Sequence, residues 1–151
     1  MRVVLASHGN LGCEMINAVA MILGVSVREK ATCVELVEGE SLENYYDKLA
    51  KVAGNDTVIL VDLFGGTPSR AALMLLQEGK ARAVLTGFNM AMVIELLSND
   101  TGDFQQLMSS VWKAGREGVR GFVGKELQEI AAEGKSEEKS LIRQLIKKVK
   151  S

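Results

Sequence analysis

Apolar residues follow two patterns along this chain: short continuous runs, and longer stretches with an apolar residue every three or four positions. The continuous runs predict strands, which fall at 3–6, 31–37, 57–63 and 81–87. The periodic stretches predict helices, which fall at 11–23, 41–53, 68–79, 90–97 and 104–118. Strand and helix therefore alternate four times along the chain.

This alternation predicts an α/β fold, with a doubly wound, mainly parallel sheet and helices on both of its faces. The run at 57–63 supports this fold, because a parallel strand covered on both faces is apolar without interruption. Residues 119–123 are compatible with one further, antiparallel strand at the sheet edge. We predict a domain over 1–125, followed over 126–151 by a polar linker and a short C-terminal helix.

Composition narrows the class of protein. The length of 151 residues suits one domain, and the net charge of −1 provides no basic surface for nucleic acid. No apolar run approaches the roughly 20 residues that span a bilayer, and the first residues lack the apolar length of a secretory signal. Cys13 and Cys33 have neither zinc-site nor disulfide-framework spacing, so we expect two unpaired thiols in a cytoplasmic protein.

Two polar residues stand where predicted strands end. His8, the only histidine, follows the first strand, and Asp62 lies near the end of the third. Because the carboxyl ends of parallel strands meet at one edge of a sheet, we expect these side chains to pair. A carboxylate on one imidazole nitrogen leaves the other nitrogen as a nucleophile. The structural alternatives are a hydrogen-bonded rim histidine and a turn or capping aspartate.

A glycine turn follows Asp62 at Gly65 and Gly66 and leads into a helix, with Thr67 as its N-cap and Pro68 at its first position. Such a turn places backbone N–H groups and the helix dipole where an anion can bind. Thr67 could donate its hydroxyl to a phosphoryl oxygen, although capping the helix explains it equally well. A nucleophilic histidine beside a carboxylate and an anion-binding turn fits transient phosphoryl carriage.

The sequence lacks the motifs that several other kinds of site require. The chain has no P-loop motif, no dinucleotide-binding GxGxxG after its first strand, and no second histidine to hold a metal. Ser7 adjoins His8 on a strand and would point to the opposite face, which argues against a Ser–His–Asp hydrolase. We therefore expect no metal and no cofactor.

Four stretches, in order and spacing, resemble the enzyme IIA domain of the mannose-type (mannose/fructose/sorbose) bacterial phosphotransferase system. They are residues 4–9, 60–72, 86–92 and 114–119, and the resemblance extends over about 1–123. It implies a doubly wound α/β domain that forms a homodimer by exchanging a late edge strand near 119–123.

The resemblance also implies roles for individual residues. His8 would accept a phosphoryl group from the phosphocarrier HPr and pass it to a IIB component, with Asp62 as its partner carboxylate. Thr67 and the turn amides of Gly65 and Gly66 would hold the phosphoryl oxygens, and Asn89 would support the site. Membrane components IIC and IID would be reached only indirectly.

The chain departs from the family pattern in two places. Many relatives have Asn-x-Pro-Met where this chain has Asn89-Met90-Ala91-Met92. The tail over 126–151 matches no IIA pattern and is too short for a IIB domain, so a IIB partner would be a separate chain. The tail keeps open a regulatory phospho-acceptor on the same fold. A small hydrolase or isomerase using His8 and Asp62 is the third hypothesis, and it needs a closed pocket.

Overall fold

The main sheet contains four parallel strands, and the computed structural model describes residues 1–99, 102–124, 129–130 and 143–149. The strands are β1 (Arg2–His8), β2 (Ala31–Leu36), β3 (Thr57–Val61) and β4 (Ala83–Thr86). They are ordered β2-β1-β3-β4, so the two strands that lead to His8 and Asp62 are neighbours at the centre. Leu5 of β1 lies opposite Cys33 on one side and Leu60 on the other.

Helices cover both faces of this sheet, which confirms the predicted α/β fold. They are α1 (Leu11–Leu23), α2 (Val27–Lys30), α3 (Leu42–Val52), α4 (Thr67–Gln77), α5 (Met90–Ser98) and α6 (Phe104–Glu117). On one face, Leu5 and Leu60 pack with residues of α1, α5 and α6. On the other, Val4 and Ile59 pack with residues of α3 and α4. Alternate residues of β1 and β3 thus enter two cores, which is why these runs are continuously apolar.

The strand predicted near 119–123 forms, but it does not join the main sheet. Strand β5 (Gly121–Phe122) pairs antiparallel with β6 (Glu129–Ile130) in a separate two-stranded sheet. The sequence led us to expect this strand at an edge of the main sheet instead. A partner a few residues further along the chain closes a much shorter loop than β4 would, which favours the local pairing. Of the polar linker and short helix predicted over 126–151, the structure describes only residues 129–130 and 143–149, and residues 143–149 are helical.

The two cysteines form a disulfide, so the prediction of unpaired thiols was wrong. Cys13 lies in the first turn of α1 and Cys33 in the middle of β2, and their Cα atoms are 5.2 Å apart. Helix α1 packs back across β2 as it crosses from β1, which brings residues 20 positions apart into contact. The spacing of cysteines in a sequence carries no information about such a crossover contact.

We expect the disulfide to contribute measurably to stability. Closing a loop of 20 residues restricts the unfolded chain, and its loss should cost about 3 kcal/mol in the free energy of unfolding. For a chain of this size, the midpoint of thermal unfolding should fall by roughly 6–12 °C in a reducing agent. The double variant Cys13→Ser/Cys33→Ser should melt at the lower temperature in either condition. Equal midpoints for the oxidised and reduced protein would contradict this contribution.

In the described part of the chain, no helix combines the length and the apolar character that crossing a bilayer requires.

Candidate functional site

The central feature of the site is a hydrogen-bonded pair formed by His8 and Asp62. His8 ends β1 and Asp62 directly follows β3, so both lie at the carboxyl edge of the sheet. Asp62 Oδ2 lies 3.0 Å from His8 Nδ1 and accepts the His8 backbone N–H at 2.9 Å. Asp62 Oδ1 accepts the Leu63 N–H at 2.9 Å. The structure thus brings together the two side chains that the strand pattern predicted to meet.

This geometry distinguishes the two imidazole nitrogens. An ionised carboxylate only accepts hydrogen bonds, so its contact with Nδ1 places the ring proton on that nitrogen. The lone pair then lies on Nε2, the nitrogen far from the backbone. The His8 side chain is 48% exposed, whereas that of Asp62 is 8% exposed. An oriented nucleophilic nitrogen therefore lies on an accessible surface, with its orienting group buried beneath it.

The glycine turn after β3 packs directly against the imidazole. A Cβ atom on Gly66 would lie 2.8 Å from His8 Cε1 and 3.2 Å from Nε2, so any side chain here would force the ring to move. Gly65 has φ +95°, and its N–H donates to the buried Ser69 Oγ at 3.2 Å. The turn is therefore held at a fixed distance from Nε2.

Helix α4 begins one residue earlier than the sequence suggested. Gly66, in an extended conformation, is the N-cap and Thr67 is already helical, so the prediction of Thr67 as N-cap was wrong. The Gly66 carbonyl accepts the Arg70 N–H at 3.0 Å, which makes Gly66 the residue that opens the helix. The sequence predicted Pro68 as the first helical residue, whereas it is the second; its missing N–H costs no hydrogen bond at either position.

The side chain of Asn89 forms its hydrogen bonds with α5 and α6. Its Oδ1 caps α5 by accepting the Met92 N–H at 3.1 Å, and its Nδ2 donates to the Gly115 carbonyl of α6 at 2.8 Å. Among the described residues, its side-chain hydrogen bonds thus join α5 to α6 and do not reach His8. Helix α5 begins at Met90, so Ala91 lies in its first turn.

Two hydroxyl groups near the site had no assigned part in the sequence analysis. Tyr45 of α3 is fully buried and donates to the Val34 carbonyl at 2.8 Å. Burial raises the pKa of the Tyr45 phenol, and the nearby Asp62 carboxylate raises it further. Ser7 was considered only as a nucleophile, and it is buried as well. A sequence clue to both residues did exist, because a hydroxyl group on a buried face needs a hydrogen-bond partner.

Residues 2–111 match the family model EIIA-man, described as PTS system fructose IIA component. The chain belongs to this family. The mannose-specific EIIAB component of Escherichia coli K12 is 29% identical over 136 residues, which cover 85% of this chain and 42% of that protein. The chain thus spans less than half of that relative's length.

Two further comparisons agree with membership of the EIIA-man family. The fructose-specific EIIA component of Bacillus subtilis 168 is 29% identical over 101 residues, covering 64% of this chain and 68% of that protein. The mannose/sorbose-specific IIA subunit from Enterococcus faecalis has a TM-score of 0.74 and 29% identity, covering 84% of this chain and 98% of that one. A EIIA structure from Streptococcus agalactiae, at 21% identity and TM-score 0.69, shares the fold.

Proposed function

We propose that this chain is a phosphocarrier of a mannose-type sugar phosphotransferase system. His8 accepts a phosphoryl group from HPr and passes it to a IIB component, which couples sugar uptake to sugar phosphorylation. The observation that carries the proposal is the His8–Asp62 pair, with Nδ1 held 3.0 Å from the carboxylate and a half-exposed ring. Family membership supports it, since the relatives are named as components of mannose, fructose and sorbose systems.

The residues divide the transfer step between them. The Nε2 lone pair attacks the phosphorus of the donor phosphohistidine, a new N–P bond forms, and the donor nitrogen leaves with the electron pair of the old bond. Asp62 stabilises the positive charge that develops on the ring. The Gly66 N–H and the Thr67 hydroxyl, at the start of α4, hold the phosphoryl oxygens, whereas the Gly65 N–H already donates to Ser69 Oγ. Transfer to IIB reverses these steps.

The surroundings of His8 suit a protein partner better than a small substrate. Leu63 and Phe64, which follow Asp62, are 60% and 72% exposed and offer an apolar surface beside the imidazole. A groove of about 600 Å³ does exist, but it is lined by Arg2, Lys30 and Asn99 at the opposite edge of the sheet. The hydrolase or isomerase hypothesis required an enclosed pocket around His8 and is therefore disfavoured. The comparisons do not favour the regulatory alternative.

A cytoplasmic homodimer completes the proposal. Strand β4 pairs with β3 on one side and, within the described residues, has no strand on the other. Val119, Phe122 and Val123 are more than half exposed, an apolar segment that a second copy of the chain could cover. Sedimentation equilibrium should give twice the mass of the chain, and a monomer at micromolar concentration would contradict the dimer.

The carrier role is tested by intact mass after incubation with phosphoenolpyruvate, enzyme I and HPr. We expect one acid-labile phosphoryl group on the protein, absent when HPr is left out, and lost again when a IIB component is added. If the protein gains no mass while HPr in the same tube is fully phosphorylated, the proposal fails.

Gly66→Ala should slow phosphorylation by at least about 100-fold, because the added methyl group would push the imidazole away from Asp62 and misplace Nε2. The initial rate of phosphoryl uptake measures the effect. Gly102→Ala is the matched control, since a Cβ atom there meets nothing within 4 Å. Equal rates for both variants would show that the ring does not depend on this turn.

A further inference from the structure

Ser7 bridges the two sides of the turn that carries His8. Its side chain is 1% exposed and lies directly before His8 in β1. Its Oγ accepts the Gly12 N–H at 2.8 Å and donates to the Gly9 carbonyl at 3.1 Å. A single hydroxyl thus joins the end of β1, the turn after His8 and the start of α1.

This bridge replaces the usual cap of the helix. The N-cap residue of a helix normally accepts the N–H of the second or third helical residue through its own side chain. Asn10 occupies the N-cap of α1 but makes no such bond. The N–H of the second helical residue, Gly12, instead donates to the hydroxyl of Ser7, which lies in β1. A Cβ atom on Gly12 would lie 3.1 Å from both the Leu5 carbonyl oxygen and Ser7 Oγ, so glycine allows this close approach.

The backbone around His8 is fixed on every side once Ser7 is included. The His8 N–H donates to Asp62, and the Gly9 N–H donates to the Leu36 carbonyl at 2.8 Å. The Gly9 carbonyl accepts from Ser7. Gly9 has φ +53°, a left-handed conformation that glycine adopts without strain, and the Ser7 hydroxyl adds a second hydrogen bond to this residue.

We propose that Ser7 is a positioning residue for phosphoryl transfer, an inference that rests on the proposed carrier function. Its hydroxyl fixes the turn from Gly9 to Gly12 and so holds the His8 imidazole where Nε2 meets the phosphoryl group. Because Ser7 is buried, it touches neither the phosphoryl donor nor the acceptor. Its loss therefore lowers the rate of transfer and leaves the affinity for the donor unchanged.

The test compares Ser7→Val with Ser7→Thr, two variants of nearly the same shape that differ in the hydroxyl group. With phospho-HPr as donor and a IIB component in excess as acceptor, Ser7→Val should lower kcat by about tenfold or more with an unchanged KM for phospho-HPr, and Ser7→Thr should restore most of kcat. Circular dichroism and thermal melting establish that each variant is folded at the assay temperature. If Ser7→Val does not fold, the smaller Ser7→Ala takes its place.

Ser41→Ala is the matched control. Ser41 Oγ caps α3 by accepting the Asn44 N–H at 3.1 Å, so this variant loses a helix cap elsewhere and should keep the wild-type kcat. Equal kcat for Ser7→Val and Ser7→Thr, or a change confined to KM, would overturn the positioning role. If the wild type and Ser41→Ala take up no phosphoryl group, the carrier function itself has failed, which is a separate outcome.

Discussion

His8→Ala should abolish phosphoryl uptake while the protein keeps its fold. The chain contains no other histidine, and the carboxylate of Asp62 orients this ring so that the lone pair lies on Nε2. The fold should survive because the ring is half exposed and the carboxylate of Asp62 keeps the backbone N–H groups of His8 and Leu63 as donors. The change therefore leaves no buried charge without a partner.

Intact mass with the full donor system measures this result, alongside circular dichroism and a thermal melt of the variant. The wild type, treated in the same mixture, is the control for donor activity. A phosphoryl group on a folded His8→Ala variant would mean that another side chain is the acceptor and would refute the assignment of His8.

Asp62→Asn should have the second largest effect, lowering the rate of phosphorylation by on the order of 10³-fold. The two carboxylate oxygens accept three hydrogen bonds, from His8 Nδ1, the His8 N–H and the Leu63 N–H. An amide NH₂ in place of Oδ2 would face the His8 N–H and make Nδ1 an acceptor, which moves the ring proton to Nε2. In place of Oδ1 it would face the Leu63 N–H, so both orientations disrupt the site.

The initial rate of phosphoryl uptake tests this expectation, because the variant keeps His8 and should still reach full labelling at long times. Asp56→Asn is the matched control: Asp56 pairs with Arg2 at 3.5 Å and precedes β3, at the opposite edge of the sheet. It should behave as the wild type. An unchanged rate for Asp62→Asn would show that the carboxylate neither orients nor stabilises the ring.

The parts of this structure that could be predicted depend on periodicity and on strand direction. Continuous apolar runs identified β1 and β3 as strands with both faces covered, and parallel strands bring His8 and Asp62 to one edge whatever the details of packing. Both inferences require only the direction of the side chains along a strand and the direction of the strands in the sheet.

The rest depends on distances between elements, which local patterns do not contain. The disulfide requires α1 to cross β2 at the position of Cys33. Ser7 could be placed on the face opposite His8, but its bond to Gly12 requires the start of α1 to approach β1 closely. Asn89 fitted a supporting role by resemblance, whereas its hydrogen bonds are explained by the packing of α5 against α6.

For the phosphocarrier that we propose, the half-exposed imidazole at a single edge of the sheet also determines the kinetics of carriage. One nitrogen cannot face two proteins at once, so donor and acceptor must visit the same surface in turn, and each excludes the other while it is bound. Such a carrier follows ping-pong kinetics, in which double-reciprocal plots at different acceptor concentrations are parallel. On this proposal, unphosphorylated HPr should compete with the acceptor for the loaded carrier, so we expect the ratio of phosphorylated to free HPr to control the flow of phosphoryl groups in either direction.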